Sequence, residues 1–489
     1  MPDDQPKYAQ GVAKAGEEVC AGYPGVGVAS GIRGGAVATN AAPERTELKR
    51  AIGPRLLVLF VVGDILGTGV YALTGKVAGK VGGALWLPFL IGFIVALLTA
   101  VSYVELVTKY PRAAGAALYT QRAFRVPFLT FMVAFAVMCS GLTSASAAAR
   151  AIGGDYLAEF VTLPSVVVGI VFIVAVSLLN YRGVSESVKT NILFTLIELT
   201  GLLVIIVIGV IAVASGEGEP ARLTQIRDDQ AGGMLLAMLG STALAFFAFV
   251  GFEDSVNMAE ETKDPSRNFP RAIFLGVAIT SAVYILVAIT SSLLVDYRVL
   301  EKSSGPLLEV VKAGGLAFPP QLFAAIAMFA VANSALINMM MASRLVYGLA
   351  NERVVPRGLA WVDPRRRTPV IGIIFTTVLA VGLISTGEIA GLGDTTAFLL
   401  LCVFTVVNIS VLVLRRDEVG HRHFRAPTVL PVLGAVLSLT LASPLTGRPA
   451  DVYIRAGVLL AIGVVLWLIN WFFLRRTPGA PADRTETPA

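Results

Sequence analysis

FVGFEDSV, Phe249 to Val256, closes an apolar run that covers 230–252. A run of that length reads as a membrane-spanning helix. Gly251 nevertheless interrupts it, and Glu253 and Asp254 follow side by side. Glycine weakens a helix interior by about 1 kcal/mol relative to alanine. Carboxylates at membrane depth are costly unless they have a purpose there. The stretch therefore predicts a span that is built to be interrupted.

The rest of the chain supports reading 230–252 as a span. The sequence has 489 residues, of which 55% are hydrophobic and 15% charged, and its mean hydropathy is +0.76. A soluble domain of this size needs far more charge to cover its surface. Runs with little or no charge cover 56–75, 81–104, 126–149, 160–181, 190–216, 230–252, 272–295, 313–343, 368–387, 395–414, 426–447 and 456–474. Each meets the roughly 20-residue length needed to cross a hydrocarbon core. Barrel strands are about half as long and alternate in polarity. The expected fold class is thus an all-α membrane protein with twelve transmembrane helices.

Residues 1–48 are rich in Gly, Ala and charge and read as a disordered cytoplasmic tail. Asp3 and Asp4 stand where a signal peptide is basic, so no leader is expected. Residues 477–489 read as a second cytoplasmic tail. With both termini inside, the inner loops and flanks hold 25 Lys and Arg and the outer loops 10, the bias expected of a multi-pass protein of the cytoplasmic membrane. The net charge of +6 follows from this bias and needs no nucleic-acid partner. Cys20, Cys139 and Cys402 have no metal or disulfide spacing. His421 and His423 sit in a basic loop, where a solvated pair and a metal pair are both open readings. Soluble catalytic signatures are missing, so neither an enzyme nor a cofactor is expected.

A second interruption lies in the first span, GDILGTGVYALTG, Gly63 to Gly75, where Gly67 and Gly69 flank Thr68. Alone, two glycines suit close helix packing. However, the first and sixth spans each open a set of five, and transporters with inverted repeats place discontinuous helices at such matched positions. Freed N–H groups at a half-helix start attract a carboxylate, and freed carbonyls attract an ammonium group or a cation.

Five segments in order then resemble one family. They are GDILGTGVYALTG, SYVELVTKYPRAAGAALYTQRAF from Ser102, GVSESVKTNILFTLIEL from Gly183, FFAFVGFEDSVNMAEETKDPSRNFPRAI from Phe246 and ANSALINMMMASRLVYGLANERVVP from Ala332. The chain, over about 45–475, resembles the amino acid permeases of the amino acid–polyamine–organocation superfamily. The resemblance implies a 5+5 inverted repeat, 49–216 and 230–414, with two further helices in 426–476 and with helices 1 and 6 discontinuous. It implies a substrate site in which Thr68 and Gly69 offer N–H groups and Ile65 and Leu66 offer carbonyls. Gly67 and Gly251 allow the breaks. Backbone around Phe246, Phe247 and Phe249 completes the site, with Phe249 or Phe252 as an aromatic lid and Asn333 and Ser334 at its border. Val70–Tyr71 departs from the family's usual Ile-Phe.

The resemblance further implies an amino acid as substrate and alternating access as mechanism. Glu198 stands near a position where some proton-coupled relatives carry lysine, and it is the candidate proton carrier, with a structural hydrogen bond as the alternative. Asp64, Glu105, Glu253, Asp254 and Arg344 are candidate gate or amine contacts. Lys109, one turn after Glu105, suits a local ion pair. Asp264-Pro265 and Phe269-Pro270 read as helix breaks. A polyamine or cationic-amine carrier, an amino acid exchanger, and a channel or transport-dead sensor remain as alternatives.

Overall fold

Helix follows helix from Pro54 to Arg475 in the computed structural model, which describes residues 52–112, 115–182, 188–227, 233–314, 316, 318–351, 355–366 and 368–475. Both expected tails lie outside the described residues. The helices are α1 (Pro54–Ile65), α2 (Thr68–Val81), α3 (Trp86–Lys109), α4 (Gly115–Phe124), α5 (Pro127–Ala151), α6 (Ser165–Tyr181), α7 (Val188–Ser215) and α8 (Gly233–Ala245). After them come α9 (Pro265–Leu294), α10 (Tyr297–Lys302), α11 (Pro306–Ala313), α12 (Pro320–Asn351), α13 (Val370–Thr386), α14 (Ile389–Leu414), α15 (Val429–Ala442) and α16 (Ala450–Arg475). Among the described residues there is no strand beyond two isolated bridges.

Nine helical stretches among these residues are long and apolar enough to cross a membrane, and α1 with α2 makes one of them. The shorter apolar helices α6, α13 and α15 fall on the three remaining uncharged runs. Their outward faces stay apolar: Val167, Val171, Val378 and Leu439 are all exposed. Such faces are what a bilayer would cover.

Prolines set several starts. Pro54, Pro127, Pro265 and Pro306 occupy first-turn positions, where the missing N–H has no helical partner to lose. Pro270 does not break α9 as its sequence predicts; it lies inside the helix. It is only the sixth residue, so one hydrogen bond near the helix start is lost. Phe269, Ala272 and Ile273, buried around it, hold the helix in place.

The described residues fall in one compact unit. Within it α5 packs on α12 and α14, α3 on α9, and α1 on both α7 and α9. The segment before α1 pairs with the end of the sixth span: Ile52 donates to the Glu261 carbonyl, and Lys263 donates back to Ile52, each at 3.0 Å.

Candidate functional site

The helical path breaks where the sequence places glycines. α1 ends at Ile65, and Leu66 turns to an extended ψ of 142°. α2 begins at Thr68 with no side-chain cap, so its first N–H groups have no partner in the helix. The Thr68 hydroxyl is buried and has no hydrogen-bond partner among the described residues. In the sixth span, α8 gives way to a 3₁₀ turn, Phe246–Phe249, followed by extended Val250. Gly251 has φ 132°, and a 3₁₀ helix, Asp254–Glu261, completes the span.

The two interruptions touch. A Cβ on Gly251 would lie 2.4 Å from the Asp64 carbonyl oxygen, and one on Gly69 would lie 2.5 Å from the Ala248 Cα. The Ser334 hydroxyl of α12 reaches 3.2 Å from the Cβ position of Gly67. These close approaches explain the glycines. One expected ligand group is already engaged: the Ile65 carbonyl accepts a hydrogen bond from the Tyr284 hydroxyl at 2.8 Å.

The phenylalanines separate into two groups. Phe249 packs edge-on against Phe89 and Tyr284. Phe252 and Phe246 pack instead around Phe404, with Tyr103 beside Phe252. Phe246, Phe247, Phe249 and Phe252 are all buried. Neither expected lid residue borders the adjoining cleft, which is lined by Glu253, Asp254, Ser140, Ser144, Asn338 and Thr396, with Met138 and Met341 among its apolar walls. Its cavity, about 20 Å³, has room for one water and not for an amino acid. Glu253 turns back on the break, where one carboxylate oxygen accepts from the Gly251 N–H at 2.8 Å.

The expected ion pairs need correction. Glu105 does not pair with Lys109. Its two oxygens accept from the Arg415 Nε and Nη2 at 3.0 and 2.9 Å, and the Ala426 N–H adds a third bond at 2.9 Å. Lys109 donates to the carbonyls of Leu414 and Asp417, which closes the C-terminal end of α14. A planar guanidinium matches a carboxylate in two bonds, whereas an ammonium does not. Arg344 is exposed and makes no ion pair among the described residues. Asp64 is partly buried. His421 reaches the Thr108 carbonyl at 3.1 Å, and the rings of His421 and His423 are 6.4 Å apart.

Glu198 in α7 is 1% exposed, and neither carboxylate oxygen has a hydrogen-bond partner among the described residues. Its backbone carbonyl accepts from the Tyr71 hydroxyl at 2.8 Å, and the Tyr71 carbonyl accepts from Tyr156 at 2.7 Å. Tyr71, the residue that departs from the family pattern, thus ties α2 to α7. The tie needs Gly201, whose Cβ would stand 2.6 Å from the Tyr71 hydroxyl.

Sequence reasoning missed one polar cluster. Asp394, at the start of α14, is buried between Lys80 of α2 at 3.2 Å and Arg448 at 3.5 Å. The three charges come from separate parts of the chain, so no spacing announces them.

The sequence model of the amino acid permease family matches residues 57–476, which includes both interruptions and the cleft. The chain belongs to this family. This permease is 28% identical over 445 residues to an uncharacterized transporter of Mycobacterium tuberculosis, covering 90% of this chain and 96% of that one. It is 25% identical over 448 residues to a branched-chain amino acid permease of Bacillus subtilis, covering 86% and 93%. It is also 27% identical over 393 residues to human cationic amino acid transporter 4, covering 76% and 60%. The permease is accordingly a multi-pass membrane transporter and not an enzyme.

Proposed function

We propose that the permease carries amino acids across the cytoplasmic membrane by alternating access, as a secondary transporter coupled to protons. In this reading it has twelve spans in a 5+5 inverted repeat plus two, helices 1 and 6 are the discontinuous pair, and both termini are cytoplasmic. The observation that carries the reading is the contact of the two interruptions, Gly251 against Asp64 and Gly69 against Ala248. At that contact the uncapped start of α2 holds the substrate carboxylate on the N–H groups of Thr68 and Gly69. The Leu66 carbonyl and the backbone from Phe246 to Phe249 hold the α-ammonium. Ile65 contributes only its second lone pair, since Tyr284 uses the first. Irregular backbone is tolerated in a membrane only where it is buried or lines a cavity. The closed cleft fits an occluded conformation that must open to load.

Glu198 is assigned the coupled proton. Its carboxyl group is buried without a hydrogen bond among the described residues, and such a group at membrane depth is costly unless it pairs, faces water or titrates. Uptake of radiolabelled amino acids into proteoliposomes, with and without a pH gradient, tests the whole reading; no saturable uptake of any amino acid overturns it. A one-unit gradient is worth about 1.4 kcal/mol per proton, or about tenfold accumulation. Glu198→Gln abolishes that gradient-driven accumulation and leaves counterflow of internal for external substrate. Undiminished accumulation by this variant removes Glu198 from the coupling.

A further inference from the structure

We infer that Glu253 and Asp254 recognise a positively charged side chain, so that the substrate is a basic amino acid. The inference rests on the reading of the interruptions as the amino acid site and adds its specificity. Both carboxylates line the cleft that adjoins the break. Neither pairs with a Lys, Arg or His among the described residues. One Glu253 oxygen is taken by the Gly251 N–H, and the Asp254 side chain makes no hydrogen bond among those residues.

A second observation points to a ligand. Ser144 lines the same cleft at 6% exposure, and its hydroxyl has no hydrogen-bond partner among the described residues. Asn338 uses one Nδ2 hydrogen on the Ser334 carbonyl at 2.9 Å, and its Oδ1 accepts no hydrogen bond among the described residues. With two carboxylates and the free lone pairs of Ser144 and Asn338, acceptors outnumber donors in the cleft, the complement of an ammonium or guanidinium group.

The walls suit the rest of such a side chain. Met138 and Met341 line the cleft, and flexible thioether side chains adapt to a methylene stem. The small cavity must widen for entry, and these two residues can move without disturbing the backbone. A basic side chain supplies the charge opposite to these two adjacent carboxylates.

The test compares radiolabelled arginine and lysine with alanine and leucine in proteoliposomes of the full chain. In parallel, each compound and putrescine are scored for thermal stabilisation of the detergent-purified protein. Basic amino acids are expected to show a KM at least about tenfold below that of neutral ones, the size of one charge-assisted hydrogen bond. Asp254→Asn raises the arginine KM by about tenfold or more, and Asp254→Glu recovers part of it. Transport of neutral amino acids with no stabilisation by arginine or lysine overturns the inference and leaves the transporter reading standing. An unchanged arginine KM in Asp254→Asn also overturns it. Stabilisation by putrescine and not by arginine keeps the acid pair as a cation site and overturns its assignment to a basic amino acid. Absence of uptake and stabilisation by every compound overturns both readings together.

Discussion

Gly251→Ala is expected to reduce transport by about 10- to 100-fold while the protein still reaches the membrane. Two independent effects combine at this position. The backbone has φ 132°, where an L side chain is strained by roughly 1–3 kcal/mol. The added Cβ would also lie 2.4 Å from the Asp64 carbonyl oxygen, 2.6 Å from its carbon and 2.9 Å from the Ile65 nitrogen. All three are backbone atoms and cannot swing aside, so relief requires the two interruptions to separate. Gly382→Ala is the control. It lies inside α13 with nothing within 4 Å of its Cβ position, so alanine there is neutral or stabilises the helix by up to about 1 kcal/mol. Initial uptake rates, normalised to the amount of purified protein, measure the contrast. Equal rates for the two variants would show that the contact at Gly251 carries no function.

Glu105→Ala is expected to destabilise the protein by about 3–5 kcal/mol, the loss that follows when one partner of a buried ion pair is removed. The Arg415 side chain is 12% exposed and the Glu105 side chain 3%, so water replaces little of what is lost. Two further bonds reach the same neighbourhood, from Ala426 to Glu105 and from Arg415 to the Ala426 carbonyl. The pair therefore fixes the loop after α14 against α3. A double-mutant cycle in detergent separates the possible partners. Glu105→Ala with Arg415→Leu shows a coupling energy of about 1–3 kcal/mol, while Glu105→Ala with Lys109→Met is close to additive. Additivity in the first pair and coupling in the second would restore the local pairing that the sequence suggests.

The contrast between Lys109 and Arg415 shows where sequence reading stops. Spacing of four residues on a helix places Lys109 within reach of Glu105. The choice between them depends on α14, more than 300 residues away, and on which cation can make two bonds to one carboxylate. Phe249 and Phe252 teach the same lesson. Their place beside the break is legible in the sequence, but their partners Phe89, Tyr284, Tyr103 and Phe404 come from three other helices. Asp394 with Lys80 and Arg448 was invisible for that reason as well.

Residue order alone marks a helical membrane protein and places glycines within its first and sixth apolar runs. Both follow from local physics: charge is excluded from hydrocarbon over about 20 residues at a time, and glycine removes the local preference for helix. It also marks Glu198, Glu253 and Asp254, because acids inside or at the edge of an apolar run stand out without knowledge of their neighbours. Tertiary packing brings the two interruptions into contact, gives the Ile65 carbonyl to Tyr284 and Glu105 to Arg415, and sets the acid pair on a cleft while Glu198 is enclosed. Those outcomes depend on which surfaces of distant helices meet, and chain spacing within any single helix does not encode that choice.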